Sequence, residues 1–211
     1  MTNSIQSEFL TIALIHFLAV ASPGPDFAIV LRNSVSFGRR SGLWTSLGIG
    51  TAIFVHIFYC VLGLGILISK SILAFNIVKY LGALYLIYVG FLAVRARPMK
   101  LGESEPAAHE QLSATKSFWV GFITNVLNPK ATLFFLAVFS VTVSAETSML
   151  VKVGYGVWMA FATTVWFSGI SLLFSKDIVR TAFKRFGHWF ERSMGFVLIG
   201  LGLRLAFVRA K

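Results

Sequence analysis

The sequence predicts an all-α integral membrane protein of about six transmembrane helices. They form two inverted three-helix repeats, with proline breaks in helices 1 and 4. Three observations carry this. The 211-residue chain is 56% hydrophobic and 13% charged, against about 45–50% and about 25% in ordinary soluble domains, and its mean hydropathy is +0.79. Uncharged runs such as Gly42–Ile68 (27 residues) and Val153–Ser175 (23 residues) exceed the ~20 that a bilayer crossing needs. Two proline breaks, Ser22-Pro23-Gly24-Pro25-Asp26 and Asn128-Pro129-Lys130-Ala131, recur 106 residues apart. The same shift aligns Ser34 with Ser140, Gly48 with Gly154, Gly50 with Gly156 and Gly63 with Gly169. A few coincidences are expected among 18 glycines, but the two breaks also share a capping residue before proline. Three segments per half is an odd number, so a second copy must enter the membrane upside down, as in many transporters built from inverted repeats.

Six apolar segments follow in order, at roughly 8–32, 42–69, 72–95, 117–143, 149–175 and 190–209. In the first, Ala19-Val20-Ala21 looks like a signal-peptidase site. No Lys or Arg precedes the apolar stretch Phe9–Leu18, however, and Glu8 does, so residues 9–21 are expected to be a retained helix. The second holds His56 and the lone Cys60, which offers no disulfide or metal pair and reads as a small core residue. The third and sixth carry Lys79 and Arg204 near their ends, where long side chains can snorkel to the interface. Trp44, Trp119 and Trp189 near segment ends fit an aromatic belt. Between segments three and four lies the polar stretch Arg97–Lys116, with Glu103, Glu105, Glu110, Pro98 and Pro106. The expected organisation is one transporter domain: a first repeat over 1–96, a cytoplasmic linker over 97–116 and a second repeat over 117–211.

Lys and Arg give the orientation. Twelve lie after segments one, three and five or on their flanks, six lie on the opposite side, and Lys130 falls within the membrane. The positive-inside rule places the larger set in the cytoplasm and both termini outside. The basic tail of Arg209 and Lys211 opposes this, and a five-span arrangement with one re-entrant break stays open. The net charge of +11 has no hydrophilic domain on which to form a nucleic-acid groove, so the expected partner of the basic loops is the lipid bilayer. There is no HExxH, Walker loop, GxSxG or acidic cluster. No cofactor, metal or enzymatic activity is therefore expected, and energy would come from an ion gradient.

The breaks carry the chemistry. Charge at membrane depth costs about 2.5–3.5 kcal/mol and marks pathways or sites; an interrupted helix survives there only where protein or a water-filled cavity satisfies its backbone. Ser22 and Asn128 read as N-caps, with Pro23 and Pro129 at the first helical positions. Gly24 leaves room for close approach, Pro25 follows it, and Asp26 falls in the first turn of the helix begun at Pro23. Each half thus offers a positive half-helix end partway through the bilayer. A small zwitterionic amino acid could set its carboxylate on those ends, helped by Lys130, and its ammonium on Asp26. Desolvation disfavours a charged carboxyl, so Asp26 is also placed to exchange protons against substrate. The competing reading is a permanent Asp26–Lys130 ion pair that only joins the halves. Asn125, nearly one turn before Asn128, could face the same cavity or simply bond between helices. His16 and His56 could relay protons, though a neutral histidine bonded to a neighbouring helix is the plainer expectation. Gly48, Gly50, Gly154 and Gly156 are expected to permit tight helix packing. Such faces could meet within one chain or between two, which leaves a homo-oligomer open.

The strings Ser22-Pro-Gly-Pro-Asp-Phe27, Val30-Leu-Arg-Asn33 and Gly38-Arg39-Arg40-Ser41-Gly42 resemble the lysine exporter (LysE) superfamily, in its homoserine/threonine-resistance branch. So does Gly121-Phe-Ile-Thr-Asn125-Val-Leu-Asn128-Pro129-Lys130-Ala131, while Phe134-Phe135 and Val138-Phe139-Ser140 look most like the threonine exporters. The resemblance spans essentially the whole chain. It implies a bacterial inner-membrane exporter of small amino acids such as threonine or homoserine, driven by the proton gradient. The alternative is a passive channel or facilitator for small zwitterionic solutes through the same cavity. An intramembrane enzyme on lipid, with Asp26 as base, lacks catalytic partners.

Overall fold

The computed structural model describes residues 2–64, 72–95, 112–144, 146–176 and 178–179, together with scattered helical positions between 188 and 207. Among these every regular element is a helix. They run α1 (Thr2–Ala21), α2 (Pro25–Ser36), α3 (Arg39–Tyr59, closed by a π turn at Cys60–Leu64), α4 (Ile72–Val94), α5 (Ala114–Val126), α6 (Pro129–Val141) and α7 (Met149–Phe174). Most of the expected linker, residues 97–111, lies outside the described residues. So do the Lys79 and Arg204 side chains and much of the sixth segment.

Each break forms where local chemistry demands it. At the second, Asn128 is the N-cap: its side chain accepts from Lys130 N at 3.0 Å and Pro129 follows at the first helical position, as expected. The first break differs. Ser22 is not a cap; its backbone N–H still closes the end of α1 on Leu18 O at 3.1 Å, and its hydroxyl meets Pro23 O at 3.4 Å. The cap is Gly24, in extended backbone, and α2 starts at Pro25. The reason is the second proline. Pro25 disfavours helical backbone at the residue before it, so Gly24 cannot join a helix begun at Pro23. Asp26 nevertheless falls in the first turn of α2.

The two breaks bend alike. Ile5–Ala21 meets Pro25–Ser36 at 54°, and Ala114–Val126 meets Pro129–Phe139 at 55°. Arg39–Leu62 and Met149–Phe174 are long and apolar enough to cross a bilayer unbroken, and each bent pair adds a span if it crosses as one. α3 is the central helix, packed against α5 and α7. Close backbone approach makes the first contact: a methyl on Gly48 would sit on the Phe118 carbonyl, and one on Gly121 on the Thr45 carbonyl. Gly50 abuts Thr164 and Ala160 of α7, and Gly156 abuts Ile57. Gly154 departs from the expectation, since among the described residues nothing lies within 4 Å of where its Cβ would be.

Polarity is distributed as a bilayer requires. Leu10, Leu14 and Phe17 expose one stripe of α1, and Val157, Phe161 and Val165 one stripe of α7. Trp44, Trp119 and Trp189 are also exposed, as an aromatic belt would be. His16, Asn33, Thr45, His56, Asn125 and Thr163 are buried between helices, where hydroxyl and amide pairs such as Asn33 Nδ2 to Thr45 Oγ1 (2.8 Å) satisfy them. Cys60 is buried in the apolar core.

Candidate substrate site

The two breaks meet. Lys130, in the first turn of α6, is buried and donates its ammonium protons to the carbonyls of Ser22 and, at 3.1 Å, Pro23. These carbonyls lie just past the last residue of α1, at the end where helix carbonyls lack intrahelical partners and the dipole is negative. Lys130 therefore closes the end of the other half's broken helix. Gly24 allows this approach, since a methyl there would lie 3.2 Å from Lys130 Nζ.

The exchange is reciprocal. Asp26 Oδ2 accepts from Asn125 Nδ2 and from Asn128 Nδ2, each at 2.9 Å. Asn128 has little choice in this: its Oδ1 is committed to the cap of α6, so its amide N–H groups face the carboxylate. The charge of Lys130 also acts on Asp26. Asp26 Oδ1 is different. It is buried and accepts no hydrogen bond from any described residue, although buried polar atoms are rarely left so.

A cavity of about 40 Å³ lies at this junction, room for on the order of three waters. Asp26, Asn125, Asn128 and Lys130 line it on the polar side, with Ser22 and Gly24 beside them. Phe27, Ile53, Phe134, Phe135 and Phe167 form apolar walls. His16 and Thr163, bonded at 3.1 Å, close a further face.

Of the residues singled out in the sequence, Ser22, Gly24, Asp26, Asn125, Asn128 and Lys130 all line one cavity. Pro23 contributes the carbonyl that Lys130 grips, while Pro25 and Pro129 set the helix starts. His56 bonds to a neighbouring helix, the plainer of its two expectations: Nε2 meets Asn125 O at 3.2 Å and Oδ1 at 3.1 Å. Asn125 faces the cavity and bonds between helices at once. Thr163 and Phe167 were not singled out, and Phe27, Phe134 and Phe135 entered only through the resemblance. A threonine amid an apolar run was the one available signal, and phenylalanines are too common here, at 21, to mark a wall. The described residues hold no group of three or more His, Cys, Asp or Glu that could ligate a metal.

The site and its motifs fit a known group of proteins: a model of the LysE type translocator family matches residues 17–209. The chain belongs to the LysE family of translocators. Threonine efflux proteins are similar over nearly their full length. That of Escherichia coli K12 is 32% identical over 95% of this chain and 98% of its own, and that of Salmonella typhi is 31% identical over the same shares. An uncharacterized membrane protein of Bacillus subtilis is 27% identical over 89% of this chain and 92% of its own. No solved structure matches the chain significantly. A LysE translocator is a multi-pass membrane protein that moves solute without catalysing a reaction.

Proposed function

We propose that this translocator exports small amino acids of the threonine or homoserine kind across the bacterial inner membrane, in exchange for protons. One observation carries the reading: a buried carboxylate oxygen, Asp26 Oδ1, faces no partner among the described residues where two broken helices meet. The substrate ammonium binds that oxygen. Its carboxylate faces the positive start of α6, beside Lys130 and Asn128. An ammonium and a proton compete for the same oxygen, which couples them: a proton arriving from outside displaces the amino acid, and its release inside readmits the next. One charge moving through 100 mV releases about 2.3 kcal/mol, enough to sustain a substantial gradient. The cavity as it stands is too small for an amino acid, so the cycle opens it alternately to either side.

The same reading takes 1–96 and 117–211 as inverted three-helix repeats joined by the linker at 97–116. The nearly equal bends of 54° and 55° support it, as do the threonine efflux relatives for the substrate class.

The test is efflux from cells preloaded with threonine, homoserine or other small amino acids, at matched membrane levels. Asp26→Asn is expected to lose at least tenfold, and Asp26→Glu to keep part of the activity. Wild-type efflux by Asp26→Asn removes the proposal. Non-saturating flux that ignores an imposed pH gradient in proteoliposomes supports a passive facilitator instead.

A further inference from the structure

A buried polar cluster lies beside the site. His56, fully buried on α3, reaches the polar side of the candidate site through Asn125. Its Nε2 lies 3.2 Å from the Asn125 backbone carbonyl, which can only accept. Nε2 therefore carries the proton. In the neutral ring Nδ1 is then the acceptor, and the Tyr59 hydroxyl, 2.7 Å away, donates to it. The Tyr59 oxygen in turn meets the Thr132 side chain of α6. The Nε2 proton also faces the side-chain amide of Asn125, at 3.1 Å from Oδ1. An N–H cannot satisfy an NH₂ group, so the amide must turn its oxygen to His56 and its nitrogen to Asp26. A flip of Asn125 would present one oxygen to the Asp26 carboxylate and one N–H to another N–H, losing two bonds at once.

We propose that His56 is a positioning residue, held by Tyr59, which fixes the Asn125 amide as a donor to Asp26. This rests on Asp26 being the ammonium-binding group. Asn128 gains its orientation from the cap of α6; Asn125, inside α5, has no cap to serve and needs the histidine. The His56 ring stacks on Phe135 at 5.2 Å and 4°, so a phenylalanine at 56 keeps the stacking and removes only the hydrogen bonds.

The experiment uses the full chain in liposomes. Its first readout is the infrared stretch of the Asp26 carboxyl, assigned by its loss in Asp26→Asn. His56→Phe is expected to shift this band, and His56→Gln, whose amide can still donate to Asn125, to return it to the wild-type position. Tyr59→Phe is expected to shift it less, and to have no further effect in the His56→Gln background. The second readout is saturable efflux of threonine, or of whichever amino acid the wild type exports. His56→Phe is expected to raise KM about tenfold with Vmax within twofold, and His56→Gln to recover most of the loss. An unmoved band in His56→Phe, or one moved equally in His56→Gln, overturns the proposal. Should His56→Phe fail to fold, an additive Tyr59→Phe effect in the His56→Gln background overturns it equally. Normal efflux by Asp26→Asn would instead sink the substrate site itself, whatever the band does.

Discussion

Asp26 is held by two amides that reach it for different reasons, and this separates what each contributes. Asn128 both caps α6 and donates to Asp26. Serine is as good a cap as asparagine but has no amide to offer. Asn128→Ser is therefore expected to keep the Lys130 amide protected in hydrogen exchange while raising the KM for export severalfold. Asn128→Ala should lose both, with a cap cost of about 1 kcal/mol. If Asn128→Ser exports with wild-type KM, the donor to Asp26 is dispensable. Lys130 illustrates what single residues conceal. Its sequence position announced a buried cation, but its partners include carbonyls 107 and 108 residues away, and no pattern near Lys130 names them.

At the scale of elements, glycine distinguishes contact from coincidence. α3 and α5 touch through Gly48 and Gly121, where a methyl would strike backbone rather than a movable side chain. Gly48→Ala and Gly121→Ala are expected to destabilise by about 1–3 kcal/mol, read as a lower midpoint in thermal unfolding. Gly154→Ala meets no described residue and should gain up to about 1 kcal/mol of helix propensity. Equal losses at all three positions would contradict this packing. The turn between α2 and α3 depends on Gly38, whose φ of +84° strains other residues. Glu8 ties elements together through hydrogen bonds. Its carboxylate accepts from Ser144 N at 3.1 Å, from Thr147 Oγ1 at 3.0 Å and from Tyr155 OH at 3.2 Å, fastening α1 to the loop between α6 and α7. Glu8→Ala is expected to speed exchange of the Ser144 amide at least tenfold while leaving α3 unchanged. The proline breaks were readable because proline and its capping residue act locally. Their exact starts were not, because Pro23 and Pro25 compete and the restraint on Gly24 decides between them.

For the whole molecule, the expected orientation is a claim about sides. Reporter fusions within residues 97–111 should be active in the cytoplasm, and fusions at 146 outside. The reverse pattern would overturn the orientation, and both loops on one side would dismantle the inverted-repeat proposal. Burial follows the same logic at this scale. The outer stripes of α1 and α7 are apolar while His16, Asn33, Thr45 and Asn125 lie inside, as expected where lipid replaces water and unpaired polar groups must find partners between helices.

Composition, run length and proline punctuation were enough to establish a helical membrane protein with two broken helices, since hydration and backbone restraint act through near neighbours. They also marked Asp26, Asn125, Asn128 and Lys130 as costly groups needing a reason. Which groups answer them was settled only by the packing of α3 against α5 and the crossing of the two breaks. That packing turned Lys130 onto the end of α1, paired Asn125 with His56, and left one oxygen of Asp26 without a partner among the described residues. Such pairings join residues up to 108 apart, and a sequence records the need of each group without naming what meets it.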